Sequence, residues 1–222
     1  MKLTKAGYIP RLIDDKIESY LKIFDAISIE GPKWCGKTWT ALNHANSVVY
    51  LDNTEGNFKD RNLAEMDVNL VLNKENPELI DEWQEVPAIW DAVRFKCDED
   101  TKKGKYILTG SSVPVSNKIH HSGAGRICKI KMHTMSLFES GESSGNVSLK
   151  DLFSGKVKNS LVDKVELQTI AELIVRGGWP DAINMPIKEA METTRSYIES
   201  VLDKDIQVLT MYKETSKKWN YY

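Results

Sequence analysis

Gly31-Pro32-Lys33-Trp34-Cys35-Gly36-Lys37-Thr38 fits the pattern G-x-x-x-x-G-K-[ST] without a gap or substitution. The pattern holds phosphate, and each residue type in it has a task. Glycines let the backbone turn and bring its N–H groups close to phosphate oxygens, Lys37 reaches the terminal phosphates, and the Thr38 hydroxyl suits Mg²⁺. All eight residues, Gly31, Pro32, Lys33, Trp34, Cys35, Gly36, Lys37 and Thr38, are therefore candidate nucleotide contacts. A match of this length carries weight only between a strand and a helix. Residues 26–30 form a short β-prone run, and residues 37–45 contain neither proline nor glycine, so the phosphates would meet a helix N-terminus. A glycine-bearing turn with one exposed lysine is the competing reading, and the intact pattern in this context outweighs it.

The next informative stretch is Leu79-Ile80-Asp81-Glu82, an apolar pair running into two acids. An acid ending the strand opposite a phosphate loop holds magnesium, which assigns Asp81 as a metal ligand beside Thr38. Glu82, one residue on, is then the candidate base that polarises an attacking water. Alone, an Asp-Glu pair reads as a solvated turn, and two apolar residues are few for a buried central strand. Residues 106–112 form the clearest remaining strand and end in polar residues. Ligands of open α/β sheets bind at the carboxyl ends of strands, making Ser111 and Thr109 candidates to sense the γ-phosphate or orient the water, against a plain serine-rich turn. Arg126 lies between a glycine-rich loop and the strand-like residues 127–132, where it could reach a γ-phosphate of its own or a neighbouring subunit, or simply extend the solvated stripe of Lys129 and Lys131.

At 222 residues the chain can bury one sizeable core and a small appendage. A net charge of −2 gives no global reason to bind nucleic acid, although a local basic patch would remain compatible with it. Cys35, Cys97 and Cys128 are far apart and lack C-x-x-C spacing, which argues against disulfides or a zinc knuckle and fits a reducing cytoplasm. No apolar run is long enough to span a bilayer, so no membrane partner is expected.

Helical spacing marks residues 11–24, with Arg11 read as a solvated first-turn arginine rather than a nucleotide contact. A strand follows at 47–52, then a helix from 61 with a strand-like run at 68–72, and a helix at 86–95. The Lys102-Lys103-Gly104-Lys105 turn and the His120-His121 loop read as solvated, since no third ligand has metal spacing to the histidines. The Gly-, Ser-, Asn- and Lys-rich stretch around 141–160 marks a boundary, giving a core at 1–140, a linker at 141–164 and a helical appendage at 165–222. Within the appendage, helices at 165–175 and 187–209 flank the stop Arg176-Gly177-Gly178-Trp179-Pro180.

Taken in order, the 31–38 loop, Leu79-Ile80-Asp81-Glu82-Trp83-Gln84, Ile107-Leu108-Thr109-Gly110-Ser111-Ser112, Gly123-Ala124-Gly125-Arg126, Met135-Ser136-Leu137-Phe138-Glu139 and Arg176-Gly177-Gly178-Trp179-Pro180 carry a resemblance. The chain resembles bacterial and archaeal AAA-type ATP-binding proteins with a C-terminal domain of unknown function. The resemblance implies an α/β P-loop NTPase of the additional-strand type: a parallel sheet in the order 5-1-4-3-2 flanked by helices, with a small helical appendage. It also implies Walker A at 31–38, Walker B at Asp81-Glu82, and motif positions for Arg126 and Glu139. The chain departs from these proteins after residue 206, where they continue into a sizeable domain and it runs into residues 207–222, which end polar and aromatic. That departure gives the expectation of slow ATP turnover and of a disordered or edge-packed segment from about residue 210 onward.

Three functions fit these residues. The leading one is a Mg²⁺-dependent ATPase that acts as a nucleotide-controlled switch, with ATP and Mg²⁺ as cofactors and a protein partner or a second copy as target. The second is a catalytically weak nucleotide-binding fragment that serves as an interaction module. The third is a small-molecule kinase, against which the acid pair speaks, since a kinase must keep water from the γ-phosphate.

Overall fold

The computed structural model describes residues 2–110, 121–156, 159–161 and 164–202. They fall into two compact units, residues 1–143 and 144–222. In the first unit α1 (Asp14–Ile23) leads into β1 (Ala26–Glu30), and α2 (Lys37–His44) follows the glycine-rich loop. Then come β2 (Ser47–Tyr50), α3 (Lys59–Met66), β3 (Glu78–Asp81), α4 (Ala88–Asp98), β4 (Tyr106–Gly110) and β5 (Ile127–Lys131). All pairings are parallel, in the order β2-β3-β4-β1-β5, the arrangement that the family resemblance implied.

The central strands β3, β4 and β1 are buried almost throughout, whereas the edge strand β5 leaves Lys129 and Lys131 exposed. Successive side chains alternate between faces. Ala26, Val49, Ile80, Leu108 and Ile127 join one cluster with Ile89, Trp90 and Val93 of α4 and Ala64 of α3. Trp83 and Trp90 stack within it, ring centroids 4.8 Å apart. The alternate positions, Ile27, Ile29, Leu79 and Ile107, are fully buried on the other face, and α1 and α2 pack against the sheet. Burying each such side chain stabilises the fold by about 1.5–3 kcal/mol. Two apolar residues suffice in β3 because it sits between β2 and β4 and all four of its residues are buried.

Two expectations change. The strand-like run at 68–72 is a 3₁₀ turn, Val68–Leu70, started by the Asp67 carboxylate accepting the Asn69 N–H at 2.9 Å. Val71 and Leu72 are buried, but none of this run enters the sheet ladder. Arg11, read as solvated, is 7% exposed. It precedes the first turn of α1, which starts three residues later than the periodicity suggested.

The second unit contains α5 (Leu149–Phe153), whose first turn is capped by Ser148, together with α6 (Leu167–Arg176) and α7 (Ile187–Ser200). Gly177 ends α6 with φ at 67°, and Trp179 packs on Tyr197 of α7 with centroids 4.2 Å apart. Residues 207–222 lie outside the described residues. Among the described residues no helix is long and apolar enough to cross a membrane.

Glu78, at the amino end of β3, is fully buried, with Oε2 accepting the Lys74 N–H at 3.2 Å and Oε1 lacking a partner among the described residues. Burial pushes its carboxyl up to about 7 from an ordinary 4.5. The folded state therefore holds this proton more tightly than the unfolded chain, so the contribution of Glu78 is most favourable below the unfolded value. It falls as pH rises, levelling off above about 7, with a span of about 3 kcal/mol. Glu78→Gln is expected to remove this dependence and to raise stability at pH 8 relative to wild type. Urea unfolding at pH 5 and pH 8 checks this, and equal pH dependence in both proteins would contradict it.

Candidate functional site

The 31–38 loop leaves the carboxyl end of β1 and enters α2. A Cβ on Gly31 would lie 2.3 Å from the Met132 carbonyl oxygen, so the loop can start here only with glycine. Gly36, just before α2, has φ at 98°, the left-handed conformation that turns the chain into the helix. The first N–H groups of α2 have no partners within the helix and are available to an anion. Lys37 is 6% exposed and its ammonium donates to the Pro32 carbonyl across the loop at 2.9 Å. Cys35 is buried, and Trp34 stands 53% exposed with φ at 64°.

Asp81 faces the loop from the end of β3. One of its carboxylate oxygens, Oδ1, accepts from the Thr38 hydroxyl at 2.9 Å and from the Thr109 hydroxyl at 2.5 Å. Thr109 is fully buried in β4, beside Asp81 in register. It therefore serves the carboxylate, and Ser111, the other candidate on this strand, lies outside the described residues. Burial raises the Asp81 carboxyl above its ordinary value, against the lowering effect of the two threonine hydrogen bonds. A desolvated carboxylate beside a loop hydroxyl is a hard oxygen set suited to Mg²⁺. These residues fit that ion.

Glu82 follows with φ at 55° and ψ at 47°, a left-handed conformation outside glycine that costs about 1–3 kcal/mol and recurs at functional sites. The side-chain amide of Gln84 donates to its carboxylate. Asp81 and Glu82 line one cleft of about 460 Å³ with Tyr50, Asp52, Asn53 and Lys5. These four escaped the sequence reading, although Tyr50 and Asp52 at the end of β2 obey the same strand-end rule that singled out Asp81.

Arg126 is elsewhere. It immediately precedes β5, and the parallel register of Ala26 with Ile127 sets it at the amino edge of the sheet, opposite the loop. Its guanidinium pairs with Asp98 of α4. At about 3.3 Å per residue, the length of β5 separates it from the phosphate end, so contact with the loop of its own chain is ruled out. Glu139, in contrast, is brought close to the loop through Arg11, which pairs with it at 2.9 Å and donates to the Cys35 carbonyl at 2.7 Å. Their side chains are 4% and 8% exposed, and losing one partner of so buried a pair costs about 3–5 kcal/mol.

The parallel sheet with its loop and flanking helices is the α/β fold of P-loop NTPases. A family model described as an AAA domain matches residues 24–140, more than half of the chain, and the chain belongs to that family. The Walker-type ATPase PABY2304 of Pyrococcus abyssi has a similar fold, with a TM-score of 0.56 and 14% identity over 96% of this chain and 79% of that one. No curated protein matches the sequence.

Proposed function

We propose that the chain binds Mg·ATP at residues 31–38 and hydrolyses it, as a switch whose state is read by a protein partner or a second copy. The observation that carries this reading is the Thr38–Asp81–Thr109 cluster across from Lys37, with Glu82 in the same cleft as Asp81. Loop amides and Lys37 would neutralise and orient the phosphates, while Thr38 and Asp81 would hold the metal. Bound there, Mg²⁺ would offset charge on the β- and γ-phosphate oxygens.

Glu82 would take a proton from water as the water oxygen bonds to the γ-phosphorus and the bond to the β–γ bridging oxygen breaks, leaving ADP and phosphate. The Gln84 side-chain amide holds this carboxylate in place. A partner that closes over the γ-phosphate would accelerate turnover.

Phosphate release measured with and without added nucleoside and sugar acceptors tests this against the other two readings. Release independent of acceptor is expected. Phosphorylated acceptor would establish a kinase, and nucleotide binding without release would establish an interaction module.

Arg126 keeps one role in this proposal, toward the nucleotide of a neighbouring copy. Arg126→Ala is expected to bind Mg·ATP within about twofold of wild type, well under the 1.4 kcal/mol that a tenfold change represents. Mixing it with Lys37→Ala is expected to restore turnover that neither has alone. Normal turnover in Arg126→Ala by itself would remove the arginine from the mechanism.

A further inference from the structure

Arg11 joins three segments that are distant in sequence. Its Nη1 donates to the Cys35 carbonyl in the phosphate loop at 2.7 Å, and its Nη2 to the His133 carbonyl just past β5 at 2.9 Å. Its Nε donates to Glu139 at 2.9 Å. Glu139 is itself fixed, accepting the Leu12 N–H at 2.8 Å, the Ser136 N–H at 2.7 Å and the Ser136 hydroxyl at 2.9 Å. Burial works to raise this carboxyl, but these hydrogen bonds outweigh it and hold it below its ordinary value.

The arginine is anchored from behind. Asp14 accepts the Arg11 N–H at 2.7 Å and the Tyr8 hydroxyl at 2.8 Å, and lies 2.8 Å from Nε2 of His44 at the end of α2. The backbone before α1 is thereby fastened to the helix that the phosphate loop enters.

In a planar trans peptide the carbonyl of one residue and the N–H of the next point in opposite directions. A guanidinium that grips the Cys35 carbonyl therefore aims the Gly36 N–H away from Arg11. That N–H belongs to the glycine pattern whose amides meet phosphate. The tight approach of Gly31 to the Met132 carbonyl, next to His133, is a second contact between the loop and the chain leaving β5.

We propose that Arg11, held by Glu139, is a positioning residue that orients the 35–36 peptide for anion binding and links the order of the phosphate loop to that of residues 133–139. The proposal rests on the nucleotide-site reading above for its ligand, but the orienting contact exists without one. Because linkage is reciprocal, nucleotide bound at the loop would also order the 133–139 segment, which leads toward the second unit.

Amide hydrogen exchange on the full chain tests this, using wild type, Arg11→Lys and Glu139→Gln, each with and without Mg·ATP, alongside titration of Mg·ATP into each. Lysine keeps the charge, but its donors share one nitrogen and cannot span the three acceptors that the guanidinium reaches. Without nucleotide, Arg11→Lys is expected to speed exchange at residues 31–38 and 133–139 by about tenfold or more while leaving β4 unchanged, and to weaken Mg·ATP binding by a similar factor. In wild type, Mg·ATP is expected to slow exchange in both segments; in Arg11→Lys, in the loop alone.

Unchanged exchange together with wild-type affinity in Arg11→Lys would overturn the proposal while leaving the nucleotide site standing. Should Arg11→Lys speed exchange throughout the sheet, Glu139→Gln decides, since it retains an acceptor. A rise confined to the two segments supports the latch, and a rise throughout overturns it in favour of a purely structural pair. If wild type fails to bind Mg·ATP yet the two segments loosen together in Arg11→Lys, the nucleotide reading falls and the orienting contact stands.

Discussion

Lys37→Ala is expected to weaken Mg·ATP binding by at least about 100-fold, or about 2.7 kcal/mol. Lys37 is 6% exposed and its ammonium is already turned across the loop to the Pro32 carbonyl, so its charge acts in a poorly solvated place where attraction to phosphate is screened little by water. The loop backbone should survive the change, because its shape depends on Gly31, Gly36 and the Arg11 contact rather than on the lysine tip. Isothermal titration of the folded variant, with circular dichroism as the control for folding, measures the effect. Affinity within threefold of wild type would remove the lysine from the site.

The second large effect is expected at Glu82. Glu82→Gln should leave Mg·ATP affinity near wild type and lower turnover by about 10²–10⁴-fold, the usual range for loss of general-base help. Glutamine keeps the size of the side chain and can hydrogen-bond to Gln84, so the left-handed turn at residue 82 should persist. Single-turnover phosphate release separates the chemical step from binding. An unchanged rate would mean that the base lies elsewhere, and a parallel loss of binding and rate would mean that Glu82 shapes the site rather than acting in it.

What could be read from the sequence follows from what is local. The loop between β1 and α2 is a contiguous pattern, and the strand before it and the helix after it lie within a few residues, so that part was legible in full. Asp81 was legible because strand ends converge in a parallel sheet. The sheet order came with the family resemblance and could not have come from periodicity.

Arg11 was misread because a helical wheel shows only which face a residue occupies, and its partners lie 24, 122 and 128 residues away. The strand-like run at 68–72 has the right composition for a strand, but a cap at Asp67 closes it into a turn. Arg126 was placed by the flexibility of the loop before it, whereas direction decides the matter. A residue just ahead of a strand parallel to β1 must lie at the opposite edge from a loop that follows β1. That inference was available as soon as 127–132 was taken as a parallel strand.

Titration of Mg·ATP into the wild-type chain, repeated with EDTA in place of Mg²⁺, tests the central claim most directly. Saturable binding at one site per chain that weakens by tenfold or more without the metal is the result expected of a loop that holds phosphate beside a Thr38–Asp81 oxygen pair. No saturable heat in the presence of Mg²⁺, from protein shown to be folded, would contradict it.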